Sequence, residues 1–114
     1  MKLITAKERK VLIANAEKGA NDPTFDPKPV VLLYTLFYPC TWLLTQLDPN
    51  CPDLAYGLCD LGMGSPEVGT VSLSELGALR VGPAPMVERD RFFKPKDTLR
   101  GYANAARLAG KVIP

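Results

Sequence analysis

Along the chain, stretches whose apolar residues recur every three or four positions alternate with stretches where such residues run together. The first stretch opens on Thr5-Ala6-Lys7-Glu8, the form of a capping box, in which the threonine oxygen takes the amide three residues on and the glutamate reaches back. It predicts a helix with Val11, Leu12 and Ala16 on one face, Lys7, Lys10 and Lys18 exposed, and a stop at Gly19. Residues 21–29 carry three prolines in nine positions, each restricting its own and its predecessor's backbone, so an ordered loop or a linker within the domain is expected there.

Residues 30–38 (VVLLYTLFY) are β-branched and aromatic-rich, with Thr35 the exception, and predict a strand buried on both faces. Pro39-Cys40 breaks it, and residues 42–47 (WLLTQL) predict a second strand joined to it as a hairpin. A turn over residues 48–53, a third strand over 54–61, a turn over 62–66 and a fourth strand over 67–71 complete a meander. Ser72-Leu73-Ser74-Glu75 is a second capping box and predicts a short helix through Leu79. After the Gly82-Pro83-Ala84-Pro85 reversal, residues 86–93 (MVERDRFF) predict a fifth strand at a sheet edge, with Arg89 and Arg91 on one side of it. Asp97 or Thr98 then caps a final helix, about residues 97–110, carrying Leu99, Tyr102, Ala103, Ala106 and Ala109 at helical spacing. The pattern defines one α+β domain over residues 1–114, a mainly antiparallel four- or five-stranded meander flanked by N-terminal, short middle and C-terminal helices.

Composition removes several chemistries. The 114 residues contain no histidine, which excludes Ser-His-Asp and Cys-His catalysis and histidine-ligated zinc or haem. Cys40, Cys51 and Cys59 are odd in number and widely spaced, and read as reduced, buried thiols rather than a disulfide framework or a metal knuckle. No secretory signal fits residues 1–9, and the longest apolar run, residues 30–38, is about half the roughly 20 residues a membrane span requires. A soluble cytoplasmic protein with no resident metal or cofactor and no membrane partner is expected.

Charge matters by segment more than by its net of +2. Residues 1–20 carry five basic and two acidic side chains, residues 21–80 two and seven, and residues 81–114 seven and three. Basic ends flank an acidic middle, and could form a nucleic-acid footprint if the fold brings them to one face, or serve as solvated helix faces. Gly62-Met63-Gly64-Ser65 lacks the lysine or third glycine of a phosphate cradle and reads as a hairpin turn. Tyr34, Phe37, Tyr38, Trp42 and Tyr56 could stack bases, but residues 29–79 contain no basic side chain to accompany them, which favours core packing. Glu67, Glu75, Glu88 and Asp90 could hold magnesium for a nuclease, with Lys94 or Lys96 offsetting phosphate charge. Arg89, Arg91, Lys94, Lys96 and Arg100 form the densest basic cluster, suited to phosphate or an acidic protein surface, or simply to protecting an edge strand.

Taken in order, residues 30–38, 42–48, Tyr56-Gly57-Leu58, EVGTVSLSEL at 67–76 and Val87-Glu88-Arg89-Asp90 with Phe93-Lys94-Pro95 resemble the bacterial family called domain of unknown function 2958. The opening Met1-Lys2-Leu3-Ile4-Thr5 resembles the family's start, so the likeness covers most of residues 1–96. The chain departs from the pattern in its proline-rich stretch at 22–29, at Leu43-Leu44 and in its C-terminal helix. The resemblance implies a small intracellular protein of plasmids, integrative elements or prophages, encoded beside transfer or antirestriction functions, and it carries no catalytic residues over.

Two functions from different classes are therefore expected. The first is a non-catalytic binding module of a mobile element, contacting nucleic acid through Arg89, Arg91, Lys94 and Lys96 or blocking a host defence protein. The alternative is a magnesium-dependent single-strand DNA nuclease using Glu88 and Asp90 with Glu67 or Glu75. A third possibility is a subunit of a larger assembly, held through the edge strand at residues 86–93.

Overall fold

The computed structural model describes residues 3–114; Met1 and Lys2, which open the family-like stretch and belong to the basic N-terminal segment, lie outside the described residues. Helix α1 (Ala6–Asn21) leads into strands β1 (Val31–Thr35), β2 (Thr41–Asp48), β3 (Cys51–Asp60) and β4 (Glu67–Ser72), followed by the short helix α2 (Leu73–Ala78). A two-residue hairpin, β5 (Arg80–Val81) with β6 (Ala84–Pro85), precedes β7 (Val87–Arg89) and the closing helix α3 (Leu99–Ala109). The main sheet has the order β4-β3-β2-β1-β7 and every neighbouring pair is antiparallel. This is the expected α+β domain with five strands: β1 to β4 form the meander, and β7 returns to the free side of β1 as an edge.

Each helix start follows local chemistry. Thr5 Oγ1 accepts the Glu8 amide at 3.0 Å while the Thr5 amide donates to Glu8 Oε1 at 2.8 Å, closing the capping box ahead of α1. The helix runs past Gly19, which keeps helical backbone, and stops only where Pro23 forces Asp22 into an extended conformation. The threonine cap of α3, Thr98, takes the Gly101 amide, and Gly110 ends the helix at φ 76°. The second capping box is only half formed. Ser72 Oγ accepts the Glu75 amide at 3.2 Å, but the carboxylate that braces this turn comes from Asp53 on β3. Asp53 accepts from Ser72 Oγ at 2.6 Å and from the Ser74 amide and hydroxyl at 2.8 and 2.9 Å.

The sheet is covered on both faces. On one, Leu12 of α1 and Leu73 and Leu76 of α2 pack with Leu3 and Ile4 against Val31, Leu33, Trp42, Leu44 and Ala55. On the other, Leu99, Tyr102, Ala103 and Ala106 of α3 pack with Val112 against Leu32, Leu43 and Leu58. β1 and β2 are thus buried on both sides, which is why their sequences read as near-continuous apolar runs. A bulge at Thr45 tightens the α1 side: its carbonyl accepts the Asn15 amide at 3.0 Å. Opposite it, Gly57 lies so close to β2 that a Cβ would sit 1.9 Å from the Leu43 carbonyl oxygen, so only glycine fits there.

Four expectations from the pattern need correction. Residues 36–38 are not strand: the Thr35 hydroxyl donates to the Tyr38 carbonyl and accepts the Cys40 amide at 3.1 Å, closing a loop that holds Leu36, Phe37 and Tyr38 outside. The turn before β3 is shorter than residues 48–53, because the Asp48 carboxylate takes the Asn50 amide at 2.8 Å and lets pairing restart at Cys51. That places Cys51 in solvent, whereas Cys40 and Cys59 are half-buried; all three are free thiols, and burial pushes the Cys59 thiol upward. Finally, β7 stops at Arg89. The Asp90 carboxylate accepts the Phe92 amide at 2.9 Å and turns the chain out of the sheet, so Arg91 does not share a strand face with Arg89.

The proline-rich stretch is an ordered part of the domain. Pro27 O accepts the Leu99 amide at 2.9 Å and Asp26 Oδ1 the Arg100 amide at 3.0 Å, satisfying first-turn donors of α3. At the other end, the buried Asp60 of β3 accepts the Gly62 amide at 2.8 Å and the Val112 amide at 2.9 Å. α3 is consequently pinned at both termini.

Candidate functional site

The basic cluster at residues 89–100 divides. Arg89 is half-buried on β7, on the α1 face, and its Nη1 lies 3.3 Å from Glu8 Oε1, the ion pair recorded among the described residues. Its charge is therefore committed to joining the edge strand to α1. Arg91, Lys94 and Lys96 stand exposed on the connection from β7 to α3, and Arg100 follows on the helix. The acids nearest them in the chain are occupied: Asp90 holds the Phe92 amide, and Asp97 holds the Thr98 amide. Lys96 is positioned through its backbone, whose amide donates to the Tyr102 hydroxyl at 3.0 Å. The helices α1 and α3 lie on opposite faces of the sheet, so the basic side chains of these two helices do not share a face.

The four carboxylates considered for magnesium are separated. Glu67 opens β4 and Glu88 lies on β7, at opposite edges and four strand spacings, or about 19 Å, apart. Glu75 belongs to α2 on the α1 face, and Asp90 braces the turn after β7. Among the described residues no three of the acidic and cysteine side chains gather as a metal site. Asp53 is held below the usual carboxylate range, chiefly by the Ser72 hydroxyl and then by the Ser74 hydroxyl and amide, which is the signature of a cap.

A different arrangement emerges beside α3. The helix covers Leu32, Leu43 and Leu58 but leaves the β3–β4 side of the same face open, where Tyr56 is 37% and Val68 41% exposed. Arg100, Asn104 and Arg107 recur at i, i+4 and i+7 and line the helix wall of a groove whose floor is Tyr56 and Val68, with Phe25 also in its lining. This groove has a volume of about 310 Å³ and continues past Arg107 into a second cleft beside Ser65 and Glu67. Neither arginine forms an ion pair among the described residues.

Sequence reasoning set Tyr56 aside because no cation accompanies it between residues 29 and 79, but α3 delivers two from the end of the chain. The available signal was the Arg100-Asn104-Arg107 spacing, which puts three polar groups on one side of a helix whose other side is apolar. The remaining aromatics divide: Trp42 is core on the α1 face, Tyr34 packs beneath α3, and Phe37 and Tyr38 project from the β1–β2 loop. Gly62 and Gly64 occupy the β3–β4 turn in the left-handed region, as a turn requires.

An α+β sheet with a basic C-terminal layer is a general architecture that carries no activity of its own. The chain belongs to the family described as "Protein of unknown function (DUF2958)", whose model matches residues 3–113, so the family extends through α3 rather than ending near residue 96. No curated protein matches the chain, and no solved structure does. No helix among the described residues is long and apolar enough to cross a membrane.

Proposed function

We propose that the protein is a non-catalytic binding module that contacts nucleic acid through its C-terminal basic layer. The observation that carries this reading is the exposure of Arg91, Lys94, Lys96, Arg100 and Arg107 on one continuous segment, without an ion-pair partner among the described residues. Exposed cations in a row neutralise successive phosphates and release counterions, giving affinity that falls steeply with salt. A mobile-element setting in a bacterial cytoplasm belongs to the same proposal and follows the family resemblance. Arg89 leaves the binding set because its charge serves Glu8.

Fluorescence anisotropy of labelled single- and double-stranded DNA at low and moderate salt tests the reading. Binding is expected at low salt, and each of Lys94→Gln and Lys96→Gln should lower the slope of log K against log salt by about 1 where a phosphate contact is lost. Absence of binding to any oligonucleotide at low salt would overturn it.

A second reading, contact with a protein such as a host defence factor, draws on a separate observation. The β1–β2 and β3–β4 loops meet at one end of the sheet, where Phe37 is 69% and Met63 82% exposed. Under it, Phe37→Ser with Met63→Ser should abolish capture of a specific host protein while leaving the thermal melt unchanged; equal capture by both forms would rule that surface out.

A further inference from the structure

We propose that the groove between α3 and the open side of the sheet holds an unpaired nucleotide of a single strand, its base stacked on Tyr56 and its phosphate held by Arg107. The inference rests on the nucleic-acid reading and specifies the form of nucleic acid, the site and the residues. A nucleotide presents a flat π-face, a polar edge and a charged phosphate, and the groove supplies a group for each. Tyr56 offers a partly exposed ring on a rigid strand, Asn104 a side-chain amide with donors and an acceptor, and the two arginines planar cations that suit phosphate. Phe25 and Val68 bound the ring site with apolar surface. The volume of about 310 Å³ lies at the small end of ligand sites, the size for one base rather than a duplex.

Charge sets the orientation. Asp26 stands at the Arg100 end with its carboxylate on the first turn of α3, and repels a phosphate there. Arg107 lies about two turns further along the helix, away from that carboxylate. A paired base shows its faces only to its neighbours in the stack, so duplex DNA can meet the exposed cations of residues 91–96 but cannot place a base on Tyr56.

The test is anisotropy of a labelled oligothymidylate and of a labelled duplex against the full chain and its variants, each checked by thermal melt. Tyr56→Ser is expected to weaken single-strand binding about tenfold or more and leave duplex binding unchanged, and Arg107→Ala to weaken the single strand several-fold. Tyr56→Phe should bind the single strand within about twofold of the parent, while Tyr56→Leu, which keeps bulk without an aromatic face, should lose it as Tyr56→Ser does. Normal oligothymidylate binding by Tyr56→Leu and Arg107→Ala, alongside loss in Lys94→Glu with Lys96→Glu, would remove the groove and keep the basic layer. A parent protein that binds neither oligonucleotide would remove both.

Discussion

The two faces of the sheet are covered by helices of similar role but unequal reach. On the α1 side, a sixteen-residue helix together with α2 covers the strands from β7 across to β3, and the cover is fastened by Arg89 to Glu8 and by Asn15 to the Thr45 carbonyl. On the other side, the eleven-residue α3 covers only the middle of the sheet and leaves Tyr56 and Val68 open. The first face is spent on stability. The second divides its strands between a core beneath the helix and a groove beside it, so substitutions on the closed face and beneath α3 should change folding and those in the groove should change binding.

The largest effect is expected from the closed face. Trp42 is 3% exposed beneath α1, and Trp42→Ala should cost about 3–5 kcal/mol, a large share of the stability of a domain of this size, read as the urea midpoint of the far-ultraviolet signal. A smaller loss is expected where α3 is fastened. Asp60→Ala leaves the buried amide of Val112 without its partner and should cost about 1–3 kcal/mol, with amide exchange at Val112 accelerating before that of β2. A stability loss spread evenly over both faces would show that the two helices dock as one unit.

Acid should act next, and on the α1 side. The hydroxyls and amide around Asp53 hold its folded-state pKa below that of the unfolded chain, so its contribution is present above the ordinary carboxylate range near 4 and disappears as pH falls through the lower folded value. Melting temperature should decline through that acidic window, and Asp53→Asn should flatten the decline; an unchanged slope would place the acid sensitivity elsewhere. The smallest effect on folding belongs to the open groove. Val68→Thr should move stability by no more than about 0.5 kcal/mol, because the side chain already meets water, and a larger loss would mean that the groove is core.

What could be read from the chain follows the separation of the interacting residues. The caps at Thr5 and Thr98 and the stop at Gly110 were legible because each is settled within about four residues. The meander was legible because β1 and β2 are buried on both sides and their apolar runs have no other use. The ends of β1 and β7 were not, since residues 36–38 and 91–93 carry the same apolar and charged pattern as the strands they follow. They leave the sheet through hydrogen bonds made by Thr35 and Asp90 that hydropathy does not record. The pairing of Glu8 with Arg89 joins positions eighty-one residues apart, and the groove unites Tyr56 with Arg100 and Arg107. Both depend on which face each helix takes, a choice that the periodicity of a single helix does not contain.

The contact of Asp60 with Val112 has a consequence in time. Synthesis delivers β1 to β4 before α3, so Leu32, Leu43 and Leu58 are made well ahead of the helix that shields them. Until Val112 emerges and its amide reaches Asp60, that face of a nascent sheet is sticky, and interrupted translation would release a product with half its core uncovered. A ribosome stalled just before α3 should therefore yield chains that chaperones hold and the completed chain does not.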